Sequence, residues 1–124
     1  MQMQHCFVID DSDVIRKYTR LIFESLGYRV SESGDPHVAI ERLQSDAPDL
    51  MLVDWRIPNT DMHEFIADVR KLALERRPYI IYVTTDNDYA DVHLALKVGA
   101  DAHLLKPFNR DIVEMKLHEI RVAA

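Results

Sequence analysis

Short apolar runs alternate with amphipathic stretches along the whole chain. Cys6-Phe7-Val8-Ile9, Leu50-Met51-Leu52-Val53, Tyr79-Ile80-Ile81-Tyr82-Val83 and Ala102-His103-Leu104-Leu105 have the length of strands. None alternates apolar with polar residues, so each reads as a strand covered on both faces. The first strand is placed at about His5 to Ile9. Ser12 can cap the helix that follows, which runs to about Leu26 with Val14, Ile15, Tyr18, Leu21, Ile22 and Leu26 at helical spacing. Gly27 stops it. Tyr28-Arg29-Val30 reads as a short second strand and Ser33-Gly34-Asp35 as a turn. Pro36 suits the first turn of a second helix, to about Gln44. Pro48 interrupts the chain before the third strand, Leu50 to Val53, and Ile57-Pro58-Asn59 is a loop. A third helix is expected over about His63 to Leu74, with Phe65, Ile66, Val69 and Leu72 inward and Arg76-Arg77-Pro78 as its stop. The fourth strand is Tyr79 to Thr84. Asp86-Asn87-Asp88 opens a fourth helix that ends at Val98-Gly99. Strand Ala102 to Leu105 and a helix from about Asn109 to Ile120 complete the pattern.

Five strands separated by helices predict an α/β fold, a doubly wound five-stranded parallel sheet with helices on both faces. At 124 residues the chain suits one domain, 1–124, with a full core and no output domain. A formal net charge of -6 argues against non-specific nucleic-acid binding. The single cysteine, Cys6, lies in a strand and reads as a small buried apolar residue, which fits a reducing cytoplasm. No apolar stretch reaches the length of a membrane span, and the start, Met1-Gln2-Met3-Gln4-His5, has no signal-type segment.

The strand ends carry the chemistry. Asp10-Asp11 follow the first strand, Asp54 the third, Thr84 ends the fourth and Lys106-Pro107 follow the fifth. In an open parallel sheet these ends gather at one edge, where ligands bind. A carboxylate can attack phosphorus and form an acyl phosphate. A divalent cation held by oxygen donors removes the repulsion between the two anions. A lysine and a hydroxyl neutralise the remaining phosphoryl oxygens. An Asp-Asp pair alone is usually a cap or a solvated turn, and Thr84 or Lys106 alone would be ordinary. Their joint placement predicts one site.

With these residues the chain resembles the receiver domains of two-component response regulators. The likeness runs from Val8-Ile9-Asp10-Asp11-Ser12 through Asp54-Trp55-Arg56-Ile57-Pro58 and Val83-Thr84-Thr85 to Lys106-Pro107-Phe108, with Gly99-Ala100-Asp101 before the last strand. Stand-alone CheY-like regulators of chemotaxis are the nearest in look. The resemblance implies a flavodoxin-like strand order 2-1-3-4-5 and phosphorylation of Asp54 by a histidine kinase or phosphotransfer protein. It implies Mg²⁺ held by Asp11, Asp54 and the Arg56 carbonyl, with Asp10 acting partly through water. Thr84 and Lys106 would grip the phosphoryl group, and the peptide before Pro107 would be cis. The protein would be a cytoplasmic monomer that catalyses only its own phosphorylation and dephosphorylation. Its switch would act through a face formed by the fourth helix, fifth strand and fifth helix, with Val92, His103 and Lys116 as partner contacts.

Other residues refine this picture. His103 stands where receivers usually carry an aromatic switch residue, and it can add a titrating group. Arg56, Thr85 and Asp86 flank the solvent side of the phosphate, where Arg56 and Asp86 would pair and hinder water. The usual glycine after Asp61 is replaced by Met62, which puts that loop's geometry in question. Arg76-Arg77 read as arginines drawn to a helix C-terminus rather than as an anion site. Rival readings are a phosphate sink or shuttle and a constitutive protein-binding module. A haloacid-dehalogenase-like phosphatase would want a second aspartate where Arg56 stands.

Overall fold

A computed structural model describes residues 4–123. The expectation of a leaderless start therefore falls largely on residues 1–3, outside those described. The elements are β1 (His5–Ile9), α1 (Asp13–Ser25), β2 (Arg29–Ser33), α2 (Pro36–Ser45), β3 (Leu50–Asp54), α3 (Met62–Lys71), β4 (Tyr79–Thr84), α4 (Tyr89–Val98), β5 (Ala102–Leu105) and α5 (Arg110–Ala123). All strand pairs are parallel, in the order β2-β1-β3-β4-β5.

Continuous apolarity has a simple cause here. Successive side chains of a strand point to opposite faces, and both faces are covered. Cys6, Val8, Leu52, Ile81, Val83 and Leu104 meet Ile22 and Phe23 of α1 and Val113 and Leu117 of α5. Phe7, Ile9, Met51, Val53, Ile80 and Tyr82 meet Ala39 and Leu43 of α2, Phe65, Ile66 and Val69 of α3, and Ala95 of α4. The helices start on side-chain caps. Ser12 Oγ accepts from the Ile15 N–H, and Asp35, Asp61 and Asp88 cap α2, α3 and α4. Gly27, at φ 91°, turns the chain after α1 in a conformation that suits glycine.

Several expectations shift. β2 runs on to Ser33, because it is an edge strand whose ladder with β1 tolerates the polar Ser31-Glu32-Ser33. α1 has a different inward face. Thr19, Ile22 and Phe23 are buried, whereas Val14 and Leu21 are 75% and 68% exposed. Helix α3 ends at Lys71, since Leu72 has ψ 144°, and Leu72 and Leu74 pack on the core from extended chain. Arg76 and Arg77 therefore sit beyond the helix. Arg76 pairs with Asp49 at 2.9 Å and Arg77 with Asp101 at 3.2 Å, so ion pairs rather than a helix dipole hold them. The glycine missing after Asp61 is not needed. The left-handed residue of that loop is Asn59, at φ 62°, a type that tolerates it, and Met62 opens α3 with its side chain buried.

Candidate functional site

The parallel register brings the four strand ends together. Ile9 lies beside Val53, Asp54 beside Val83 and Thr84 beside Leu105. Asp10 and Asp54 are only 4% and 5% exposed, while Asp11 is exposed. Lys106 Nζ lies 2.7 Å from Asp10 Oδ2 and 2.8 Å from Asp54 Oδ1. The Ser12 N–H donates to Asp10 Oδ1 at 2.9 Å, and the Arg56 N–H reaches Asp54 Oδ2 at 3.4 Å. Oxygens of Asp10, Asp11 and Asp54 come within 4.8 Å of one another. The space beneath the carboxylates is only about 10 Å³, so a ligand meets them from outside the sheet.

Burial pushes the Asp54 carboxyl above its ordinary value; Lys106 pulls it back, and the Asp10 charge adds to the rise. Burial opposes the charge on Lys106, yet its bonds to Asp10 and Asp54 outweigh that and raise its pKa. The ammonium is therefore firmly charged. Three carboxylates against one ammonium leave an anionic pocket of hard oxygen donors. Asp54 Oδ1 is buried without a well-directed hydrogen bond, its lysine neighbour notwithstanding. An acidic, oxygen-only, under-satisfied cluster suits a divalent cation such as Mg²⁺.

Thr84 is fully buried and its hydroxyl is already engaged. Oγ1 donates to the Asp86 carbonyl at 2.8 Å and lies 2.8 Å from His103 Nε2. A hydroxyl has one proton, and a carbonyl can only accept. His103 must therefore donate from Nε2. Burial lowers the His103 pKa, Lys116 lowers it further, and Asp91 opposes both. Thr85 and Asp86 are exposed on the rim. Arg56 is exposed too, but its guanidinium carbon lies 4.5 Å from the centre of the Trp55 ring. It makes no ion pair with Asp86 among the described residues, because the adjacent indole offers a face on which a weakly hydrated guanidinium can stack. Val92, His103 and Lys116 are all half-buried, and Lys116 pairs with Glu119 at 3.2 Å. The Lys106-Pro107 peptide is cis.

Three features escaped the sequence reading. A groove of about 420 Å³ beside the mouth is lined by Ile15, Tyr18, Thr85, Lys106, Pro107 and Phe108. Its one signal was an excess of apolar residues on α1. His63, Tyr82 and Asp91 join α3, β4 and α4: Tyr82 OH donates to Asp91 Oδ2 at 3.0 Å, and His63 Nε2 lies 3.1 Å from Asp91 Oδ1. Arg16 reaches the Asp10 carbonyl. Neither polar set has a spacing that marks it.

A family profile described as the response regulator receiver domain matches residues 6–118. The transcriptional regulatory protein CseB of Streptomyces coelicolor is 29% identical over 116 residues, which cover 94% of this chain and 48% of that protein. The chain thus spans about half the length of the curated relatives it matches. The chemotaxis response regulator CheY4 of Vibrio cholerae superposes with a TM-score of 0.87 at 26% identity, covering 96% of this chain and 99% of that one. The receiver domain of sensor histidine kinase PA1611 from Pseudomonas aeruginosa superposes at 0.83 with 27% identity, over 95% and 97% of the two chains. That structure has a magnesium ion coordinated in the active site cleft.

Proposed function

This chain belongs to the response regulator receiver domain family, and from that premise we propose that it is a phosphorylatable signalling switch with Asp54 as the phosphoacceptor. The observation that carries this reading is the buried Asp54 carboxylate, ion-paired to Lys106 beside Asp10 and Asp11. An oxygen of Asp54 attacks the phosphorus of a phosphohistidine on a kinase or phosphotransfer protein. The new P–O bond forms as the P–N bond breaks, and the freed imidazole takes a proton from water. Lys106 neutralises phosphoryl charge from one side. Thr84 gives up its bond to the Asp86 carbonyl and donates to a phosphoryl oxygen instead. Asp11, Asp54 and the Arg56 carbonyl would hold Mg²⁺, with Asp10 acting partly through water, and the bound cation would supply the positive charge that lets nucleophile and phosphoryl group approach.

Movement of Thr84 takes a partner from His103 and alters the face formed by α4, β5 and α5. That face is well suited to a protein partner. Its elements carry exposed apolar side chains: Tyr89, at 86%, with Leu94 and Leu96 on α4, Leu105 at the end of β5, and Ile112 and Met115 on α5. Such apolar side chains favour an output partner over a pure phosphate shuttle. Val92, His103 and Lys116 flank them. The output belongs to two-component signalling, with chemotaxis as a candidate pathway, and the protein acts as a cytoplasmic monomer. No helix among the described residues is long and apolar enough to cross a membrane.

The test is phosphorylation by acetyl phosphate or phosphoramidate with Mg²⁺, read by mass. A single phosphoryl addition is expected, lost in Asp54→Asn and without Mg²⁺. Label retained in Asp54→Asn places the acceptor elsewhere.

A further inference from the structure

The acidic loop is held from behind by a side chain that the phosphoryl chemistry does not use. Arg16 stands in the second turn of α1 and turns back over the loop. Nη1 donates to the Asp10 carbonyl at 2.5 Å, Nε donates to Glu32 Oε1 at 3.1 Å, and Nη2 pairs with Asp13. Glu32 is itself fixed by Arg20 Nε at 2.7 Å. One guanidinium therefore ties the end of β1 to the start of α1 and to edge strand β2. Gly34 keeps room for it. A Cβ at that position would stand 2.7 Å from Arg16 Nη1 and 3.5 Å from the Asp10 carbonyl oxygen.

The three carboxylates are not held alike. Asp10 is fixed by the Ser12 N–H and Lys106, and Asp54 by β3 and Lys106. The Asp11 carboxylate is exposed and has no hydrogen bond or ion pair among the described residues. Only its backbone aims it at the cluster. The Asp10 carbonyl and the Asp11 N–H belong to one rigid peptide plane. A guanidinium that fixes the carbonyl fixes the plane from which the Asp11 side chain departs. We propose that Arg16 is a positioning residue of the metal site, orienting the Asp11 carboxylate towards Asp10 and Asp54 through the Asp10 carbonyl. The inference rests on the Mg²⁺-dependent reading of the site.

Charge and position make opposite demands. A cation near the pocket repels Mg²⁺, so Arg16 acting only through its charge would weaken metal binding, and its removal would tighten it. Arg16 acting through the peptide plane strengthens binding, and its removal weakens it. Asp13 and Glu32 already compensate the guanidinium charge, which leaves the positional effect dominant. Partners that orient metal ligands are typically worth tens-fold in affinity.

The experiment titrates Mg²⁺ against Trp55 fluorescence, well below the melting temperature, in the wild type, Arg16→Met, Arg16→Lys and Gly34→Ala. The expected result is a dissociation constant about tenfold higher in Arg16→Met. Arg16→Lys should fall between, since an ammonium reaches one acceptor without the fork. Gly34→Ala, which keeps the arginine but displaces it, should also bind more weakly. Phosphorylation from acetyl phosphate at saturating Mg²⁺ should stay within about twofold of wild type, because the orientation is then restored by the ion. A lowered melting temperature with unchanged or tighter Mg²⁺ binding in Arg16→Met overturns the proposal and leaves Arg16 a structural residue. If the wild type itself binds no Mg²⁺, the metal reading fails first and takes this inference with it.

Discussion

Thr84 and His103 connect the strand-end carboxylate site to the face proposed for a partner. Their 2.8 Å bond, with the Thr84 proton on the Asp86 carbonyl, requires the proton of His103 on Nε2. NMR of the ring nitrogens should find that tautomer. Adding beryllofluoride with Mg²⁺ should shift the His103 ring as Thr84 turns away; an unmoved ring with shifts confined to Thr84 makes His103 a bystander. His5 yields a second prediction. It is 2% exposed, with Nε2 2.7 Å from Ser31 Oγ and Nδ1 without a hydrogen bond. Burial lowers its pKa below 6.5, Arg29 adds to this, and Asp46 and Asp49 oppose it. The unfolded chain then binds the proton more readily, so stability falls as pH drops from the unfolded value through the lowered folded one. Urea unfolding between about pH 7.5 and about pH 5.5 should show this loss, and His5→Gln should reduce it. An equal slope in His5→Gln assigns the effect to other groups, His103 first, since its shift has the same sign. In the sequence, Asp10, Asp11, Asp54, Thr84 and Lys106 could be picked out because each ends an apolar run. His5 could not, because a histidine's burial depends on which polar atoms the fold sets beside it.

Among the elements, α4 is the most weakly anchored. Ala95 is its only fully buried residue among those described, and its apolar Tyr89, Leu94 and Leu96 face outward. Much of its hold on the domain is polar: Asp91 accepts from Tyr82 OH and lies against His63 of α3. Asp91→Ala leaves the buried Tyr82 hydroxyl only the long contact to His63 Nε2 at 3.5 Å, at a cost of about 1–3 kcal/mol. Hydrogen exchange should quicken in α4 while α1 and β1 keep their protection at conditions favouring local opening. Uniform quickening of all helices would show that Asp91 supports global stability and not the seating of α4. This arrangement also shows what a pattern of apolar residues can and cannot tell. Helical spacing located α1 correctly, but Val14 and Leu21 obeyed it while pointing to solvent, and the buried Thr19 did not advertise itself. β2 was read short because an edge strand admits polar side chains, and α3 long because Leu72 and Leu74 reach the core from extended chain. Apolarity reports burial, and burial alone does not report backbone conformation.

For the molecule as a whole, topology and site were the same inference. Strands apolar on both faces require helices on both sides, and parallel strands then place all their C-terminal residues at one edge. That edge concentrates charge at a cost to the fold. Because burial raises the Asp54 pKa, the folded state disfavours its ionised form. The sign follows for this one group: the contribution of Asp54 to stability is fullest below the unfolded carboxyl value of 3.8 and is lost as pH rises through the higher folded value. The ionised carboxylate is a penalty to the fold, relieved in part by Lys106. Asp54→Asn should therefore melt at a higher temperature than wild type in EDTA. Mg²⁺ should narrow the gap by binding the native wild type. An ion at ten times its dissociation constant contributes about 1.4 kcal/mol, which for a domain of this size is a rise of roughly 5 °C. The asparagine variant, with one anionic ligand fewer, should gain much less. Paired melting curves in EDTA and in saturating Mg²⁺ separate the two contributions. If Asp54→Asn melts below wild type in EDTA, the Lys106 pair outweighs the burial of Asp54 and the site is a stabilising ion cluster. If both proteins gain equally from Mg²⁺, the ion binds somewhere other than at Asp54.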